Sequence, residues 1–243
     1  MNPDLLLFEH VIEADAFDLL TASLVAVAFE YPDLDVARYA GQVDGFARTA
    51  EEYLEVSEPG AVARGEDVRL AALDRALFGA LGFSGNQDDY YDPRNMYLNE
   101  VIDRKTGIPI TLSVLYMETG RRLGLELDGL SFPGHFLVRH RGDDQTVFID
   151  PFHKGARLDI ASLEARLRRV VGPGAELADE YLEPASHREI LMRMLSNLAA
   201  IHRRAGDIYR GIAVLERMLV VDPGNERAEG ELRALERRCQ GLN

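Results

Sequence analysis

A histidine and an aspartate lie on two consecutive predicted strands and could act as a pair. Strand-like alternation runs from His135 to His140 and from Gln145 to Asp150, and the four residues between them have turn composition. A hairpin that turns over these four residues pairs His140 with Gln145, so His135 lies opposite Asp150. Directly opposed side chains have Cβ atoms about 4.5–5.5 Å apart, which allows an imidazole–carboxylate hydrogen bond. The sequence therefore predicts a histidine that is oriented by a carboxylate.

The same residues permit two other interpretations. A half-buried histidine bonded to a carboxylate also stabilises a sheet without any chemistry, and Asp150-Pro151 is a common strand exit. Imidazole and carboxylate groups suit zinc or iron, so His135, His140, Asp150 and His153 form a conceivable metal set. Strand alternation places His135 and His140 on opposite faces, and we therefore expect neither a metal nor another cofactor.

A helix that is apolar on nearly all sides precedes the pair. Pro109 is tolerated in a first helical turn, where its missing N–H has no intrahelical partner anyway. The segment Ile110–Met117 is apolar around most of the helix, which indicates burial on most sides. Arg121 and Arg122 complement the helix dipole near the C-terminal end, and Gly124 is a plausible stop. We expect the other elements to pack around this central helix.

The totals exclude several classes of protein. The chain has 243 residues and a formal net charge of −14, which disfavours binding to nucleic acid or to an anionic membrane surface. Its one cysteine, Cys239, precludes an internal disulfide and suits a reducing cytosol. The N-terminal residues lack the basic region of a secretory signal, and the apolar stretch Leu19–Phe29 is too short to span a bilayer. We expect a cytoplasmic protein.

The patterns divide the chain into three parts. Residues 1–82 have helical spacing, residues 83–174 change to strand-like alternation after the central helix, and residues 185–243 are helical again. A loop at the start of the middle part contains Tyr90 and Tyr91, which either line a groove or anchor the loop by burying their rings.

The C-terminal part matches one tetratricopeptide repeat over Asn197–Asn225. Small residues at Ala199, Gly206 and Ala213 allow two helices to approach, and Asp222-Pro223 stops the second helix. One repeat is too short to be stable alone, so we expect it to dock on the core. Two roles stay open for it, namely packing alone or offering a surface to a partner.

Three motifs carry a resemblance to a known family. They are Tyr-Leu-Asn-Glu-Val-Ile-Asp-Arg-Lys-Thr-Gly-Ile-Pro-Ile-Thr-Leu-Ser (97–113), Pro-Gly-His-Phe-Leu-Val (133–138) and Phe-Ile-Asp-Pro-Phe (148–152). The sequence resembles the SirB-type bacterial transglutaminase-like proteins. The resemblance implies an α+β fold with a helical N-terminal part, a papain-related core whose central helix packs on a small antiparallel sheet, and tetratricopeptide-like C-terminal helices.

The resemblance also implies roles for single residues. In active members of the wider superfamily a cysteine opens the central helix, and Pro109 stands at that position here, while the histidine and aspartate map onto His135 and Asp150. Thr111 and Ser113 are the hydroxyls near the gap. Ser113 is displaced by about 6 Å along the helix from Pro109, and we expect its hydroxyl to bond the carbonyl four residues earlier.

Two hypotheses follow for function. The favoured one is a non-catalytic transglutaminase-like scaffold or regulatory protein that binds a peptide or protein partner. The alternative is an acyl-transfer enzyme or hydrolase that uses Ser113 or Thr111 as nucleophile with His135 and Asp150.

Overall fold

Helices dominate the computed structural model, which describes residues 3–14, 16–57, 65–142 and 146–240. In these residues the α-helices are α1 Pro3–Ile12, α2 Leu19–Val25, α3 Val36–Ser57, α4 Glu66–Asp74, α5 Leu98–Arg104, α6 Pro109–Arg122, α7 Ile160–Val171, α8 His187–Ala205, α9 Ile208–Val221 and α10 Glu226–Gln240. Short helical turns of other types are the π-helix Arg75–Ala80 and the 3-10 helices Pro93–Asn95, Pro151–His153 and Asp179–Leu182. In the described part of the chain, no helix is both long and apolar enough to cross a membrane.

The strands form two small sheets beside the helices. They are β1 Ser84–Gly85, β2 Thr106–Gly107, β3 Leu127–Leu130, β4 Leu137–Arg141, β5 Thr146–Asp150 and β6 Ala156–Leu158. The first two strands pair in parallel, and the other four form an antiparallel sheet in the order β3-β4-β5-β6. The mixture of helices with a small antiparallel sheet is the architecture that the sequence predicted.

The central helix is α6, and its predicted burial is confirmed. Every residue from Pro109 to Gly120 is buried, and the helix contacts α2, α3, α4, α5, α8 and the sheet. Gly120 permits the close approach of β3, since a Cβ there would lie 2.4 Å from Leu127 Cδ1. α6 ends at Arg122, whose guanidinium pairs with Asp44 on α3 and with Glu118.

The predicted register of the hairpin formed by β4 and β5 is wrong, because each residue of β4 pairs with a residue of β5 that lies two positions later than predicted. His140 pairs with Val147 rather than with Gln145, which lies outside the described residues. Arg141 remains in β4 and pairs with Thr146, so the interval between the strands begins one residue later than predicted. The side chain of Arg141 pairs with Asp128 on β3. A shift that moves partners by two residues keeps every side chain on its predicted face.

The four-stranded sheet lies between two apolar clusters. Val138 and Ile149 face the main cluster, which contains α6, whereas Leu137 and Phe148 face a smaller one that contains Leu163 of α7. This alternation along β4 and β5 follows the period of a strand. The sheet therefore has a helix on each face, and both faces are buried over residues 137–140 of β4 and 148–150 of β5.

The C-terminal helices share the main apolar cluster with the rest of the chain. Leu195 of α8 and Leu215 of α9 belong to the same cluster as Phe8 of α1 and Leu115 of α6. The turn between α8 and α9 contains Gly206 with φ 70°, a left-handed conformation that favours glycine. The tail is thus docked as expected, while the tetratricopeptide assignment and the three domain boundaries stay predictions.

Candidate functional site

The expected hydrogen bond between His135 and Asp150 is present. His135 Nε2 lies 2.9 Å from Asp150 Oδ1, and the carboxylate is completely buried at the end of β5. The sequence predicted that His135 lies in a strand, but this is wrong. His135 lies in the turn that follows Pro133 and Gly134 and precedes β4. The backbone N–H of His135 donates to the carbonyl of Phe132 at 3.1 Å, which closes that turn. The pair therefore joins a strand end to a turn and does not depend on direct cross-strand opposition.

Two further side chains hold the same carboxylate. Asp150 caps the 3-10 turn Pro151–His153, and its Oδ2 accepts hydrogen bonds from His153 Nδ1 and from Arg166 Nη2, both at 2.8 Å. His153 was expected only as a metal ligand, although an aspartate followed by proline is a recognisable start of a helical turn. Arg166 was missed, because it comes from α7 and no local pattern relates it to Asp150.

The electrostatics favour a neutral imidazole beside an ionised carboxylate. Burial alone would raise the pKa of Asp150, but the hydrogen bonds from His135 and His153 and the positive charge of Arg166 outweigh it and lower that pKa to about 2. Burial lowers the pKa of His135, and this exceeds the opposing effect of Asp150. Because ionised Asp150 can only accept, the proton of neutral His135 resides on Nε2 and its Nδ1 carries the lone pair. Among the described residues nothing hydrogen-bonds Nδ1.

A chain of contacts connects the start of α6 to the imidazole. Gly107, just before α6, pairs with Gly85 of β1. A Cβ at Gly85 would lie 2.7 Å from the carbonyl oxygen of Phe152, so only glycine allows this approach. The ring of Phe152 in turn lies 6.0 Å from that of His135, centroid to centroid. The N-terminus of the central helix is therefore packed against the segment that carries the pair.

Neither candidate hydroxyl is bonded to the imidazole. Thr111 Oγ1 accepts from the N–H of Ile108 at 3.1 Å and donates to the carbonyl of Asn95 at 2.9 Å, so it fastens the start of α6. Ser113 Oγ is buried and has no hydrogen-bond partner, which makes the predicted bond to the carbonyl four residues earlier wrong. Both side chains are completely buried, and neither contacts His135 through a hydrogen bond. Their assignment as nucleophiles stays a prediction.

Three of the four conceivable metal ligands come together. Ligand atoms of His135, Asp150 and His153 lie within 4.8 Å of one another. His140 lies elsewhere, with its nitrogens bonded to the carbonyl of Glu126 and the carboxylate of Glu66. Both oxygens of Asp150 already accept hydrogen bonds, and the Arg166 guanidinium 2.8 Å away would repel a metal cation. The geometry suits a carboxylate that orients two imidazoles better than a metal ligand.

Aromatic rings extend from the pair to the surface, and we name Phe152, Tyr90 and Tyr91 the aromatic ridge. The centroid of Tyr90 lies 6.5 Å from that of Phe152 and 5.4 Å from that of Tyr91. Tyr90 and Tyr91 are 39% and 57% exposed, so neither ring is buried enough to serve only as an anchor.

Arg193 of α8 donates to the carbonyl of His135 at 2.6 Å and fixes the other side of the turn.

Comparisons with known proteins find a family match and several relatives. A profile described as "Transglutaminase-like superfamily" matches residues 37–196. A UPF0162 protein of Xylella fastidiosa (strain 9a5c) is 40% identical over 222 residues, which cover 89% of this chain and 76% of that protein. The UPF0162 protein PA3419 of Pseudomonas aeruginosa is 36% identical over 162 residues, or 65% of this chain and 59% of that protein.

A longer relative matches about half of the chain. F-box only protein 21 of Homo sapiens is 33% identical over 145 residues, which are 56% of this chain but 22% of that protein. No solved structure matches the chain.

Proposed function

This chain belongs to the transglutaminase-like superfamily, and from that premise we propose that it is a non-catalytic member that binds a peptide segment of a protein partner. The segment lies along the aromatic ridge, beside His135. We further propose that the protein is of the SirB type, that it acts in the cytoplasm, and that α8 and α9 form a tetratricopeptide-like unit. The single cysteine and the helix–turn–helix geometry around Gly206 support these finer assignments.

The observation that carries the proposal is that, in the part of the chain that the structure describes, no hydroxyl or thiol is hydrogen-bonded to the imidazole of the His135–Asp150 pair. In active members of the superfamily the imidazole activates a thiol at the start of the central helix, and we align Pro109, the first residue of α6, with that position; proline has no nucleophilic atom. Within the described residues, the hydrogen bond that the His135 imidazole makes is the one to Asp150. The pair can orient a group that is brought to it, but it has no attacking atom of its own to activate.

A first experiment restores the missing thiol. In a Cys239→Ala parent, we expect Pro109→Cys to react with iodoacetamide at a pH well below the ordinary thiol pKa of about 8.5, because a helix N-terminus and an imidazole both favour the thiolate. Adding His135→Ala should return the reactivity to that of an ordinary thiol. If the iodoacetamide reactivity of Pro109→Cys does not change on adding His135→Ala, Pro109 does not occupy the nucleophile position.

The same question can be asked without any substitution near the helix. The unmodified protein should not react with a serine-directed fluorophosphonate, because Thr111 is bonded on both sides and Ser113 is buried. Stoichiometric labelling of Ser113 or Thr111 that disappears in His135→Ala would replace the proposal with the hydrolase alternative.

A second experiment tests peptide binding itself. Peptides selected from a random display library on the whole protein should lose affinity for Tyr90→Ser, because Tyr90 connects Phe152 to the exposed end of the ridge. Tyr209→Ser is the matched control, since Tyr209 is 72% exposed on α9. Failure to enrich any peptide, or equal loss with both substitutions, would refute binding along the ridge.

A further inference from the structure

A cavity of about 510 Å³ opens beside the exposed end of the aromatic ridge. Its walls come from residues 30–31, from the 91–97 loop and from the end of α8 with the start of α9, residues 201–210. Its volume is within the range of about 300–1,000 Å³ that small-molecule and side-chain binding sites occupy. The three parts of the chain thus meet at one cavity that is lined by both apolar and charged side chains and lies outside the His135 site.

The acidic side chains of this cavity are already engaged by arginines. Arg94 holds Asp92 with Nε and Nη2, the latter at 2.7 Å from Oδ2, and the hydrogen bond from Arg94 is the main reason that the pKa of Asp92 is lowered. Arg210 bonds both Glu30 and Asp207. The carboxylates are also more buried than their partners, with 7% exposure for the side chain of Asp92 against 57% for that of Arg94. No acidic group in the cavity wall therefore needs a cation from outside.

One cation in the wall has no such partner. Arg204 is exposed, and its guanidinium lies over the ring of Tyr91, 4.6 Å from the centroid. Within the described ranges it makes no ion pair, whereas Arg94 and Arg210 both do. Stacking on an aromatic ring fixes the plane of the guanidinium without using its N–H donors. The guanidinium of Arg204 is thus held in position, and its N–H groups can donate hydrogen bonds to a carboxylate.

The floor of the cavity is polar but uncharged at neutral pH. The hydroxyl of Tyr97 lies 3.1 Å from Nε2 of His202, and both side chains are buried. Burial lowers the pKa of His202, so its imidazole is neutral and shares one hydrogen bond with the hydroxyl of Tyr97. This arrangement adds neither a competing anion nor a second free cation to the wall.

We propose that this cavity binds the carboxylate of a peptide segment, either an acidic side chain or a free C-terminus, with Arg204 as its charged partner and Tyr91 as the adjoining apolar surface. The inference deepens the proposed function and rests on it, because the aromatic ridge leads from His135 to Tyr91 and would carry the same segment. An uncompensated arginine above an exposed ring is suited to a carboxylate followed by an apolar or aromatic group.

Small probes test the chemistry in the whole protein. N-acetyltyrosine represents a C-terminal carboxylate, N-acetylglutamate α-amide a side-chain carboxylate, and N-acetyltyrosinamide the same ring without the charge. We expect one or both acids to shift the Arg204 side-chain signal in an NMR titration. Arg204→Gln should weaken the affinity for the acid that binds by about tenfold, as expected for the loss of a charge-assisted hydrogen bond. The preferred acid identifies the source of the carboxylate.

A neighbouring arginine provides the matched control. Arg203 is one residue away on α8 and is paired with Glu231 at 2.9 Å, so Arg203→Gln changes the net charge equally but leaves the cavity intact. Equal weakening by the two substitutions, equal binding of the amide probe, or no binding of either acid would overturn the inference. If the acids fail while selected peptides still depend on Tyr90, the carboxylate site is wrong and the proposed function stands. If both fail, both are wrong.

Discussion

The carboxylate of Asp150 should be the main electrostatic contribution of the site to stability, and Asp150→Asn tests this. The substitution keeps the shape of the side chain but removes the charge that His135, His153 and Arg166 share. An asparagine oxygen can still accept one of these bonds, whereas its NH₂ group faces donors. We therefore expect the variant to fold with lower stability and with a different response to acid.

The magnitude follows from the pKa of the carboxyl group. It is 3.8 for an unperturbed aspartate and about 2 in the folded protein. At roughly 1.36 kcal/mol per pKa unit, this difference corresponds to about 2 kcal/mol of stability at neutral pH. The side chain is completely buried, so solvent screening does not reduce this value much. Loss of about 2 kcal/mol at neutral pH is the expected effect of Asp150→Asn.

The sign of the pH dependence can be stated for each group. The folded pKa of Asp150 is depressed, so its contribution is complete above 3.8 and is lost as the pH falls through about 2. The folded pKa of His135 is also depressed below the ordinary histidine value of 6.5, so the unfolded chain binds the extra proton first and stability begins to fall below that pH. The variant should keep the histidine phase and lose the carboxyl phase.

Urea unfolding followed by circular dichroism at several pH values measures both quantities. Glu164→Gln is the matched control on α7, because Glu164 pairs with Arg168 at the surface and should contribute less than about 0.5 kcal/mol. If Asp150→Asn is as stable as the wild type at neutral pH and shows the same loss in acid, the assignment of the depressed pKa to this hydrogen-bonded carboxylate is refuted.

Three other substitutions test the packing around the site. Gly85→Ala should cost about 1–3 kcal/mol in thermal unfolding, because its Cβ would meet the Phe152 carbonyl at 2.7 Å, and a cost near zero would contradict the close approach. Thr111→Val should destabilise by about 1–3 kcal/mol, since it leaves two backbone groups unpaired. Ser113→Ala should be neutral or stabilising, because the hydroxyl of Ser113 has no partner. If urea unfolding shows that Ser113→Ala costs more stability than Thr111→Val, this assignment of the two hydroxyls is refuted. Arg217→Met should raise the melting temperature, because Arg217 is completely buried with two unpaired nitrogens, and a lower value would indicate a partner for the guanidinium.

The local patterns of the sequence were sufficient for the elements that carry the site. The start of α6 at Pro109, the burial of that helix on all sides and the closeness of His135 to Asp150 could all be predicted, because each depends on residues near one another in the chain. The hairpin register could not, since the composition of the turn does not distinguish two loops of equal length that differ by one position. The structure pairs His140 with Val147 and Arg141 with Thr146.

The remainder of the site depends on residues that are distant in the sequence. Arg166 reaches Asp150 from α7, Arg193 reaches the His135 carbonyl from α8, and Arg204 lies over Tyr91 from the far end of the same helix. The sequence by itself determined which residue types could do chemistry, because periodicity and capping are local properties. Only the tertiary structure decided which charges meet, because the docking of α7 on the smaller apolar cluster and of α8 on the main one brings these arginines to their partners.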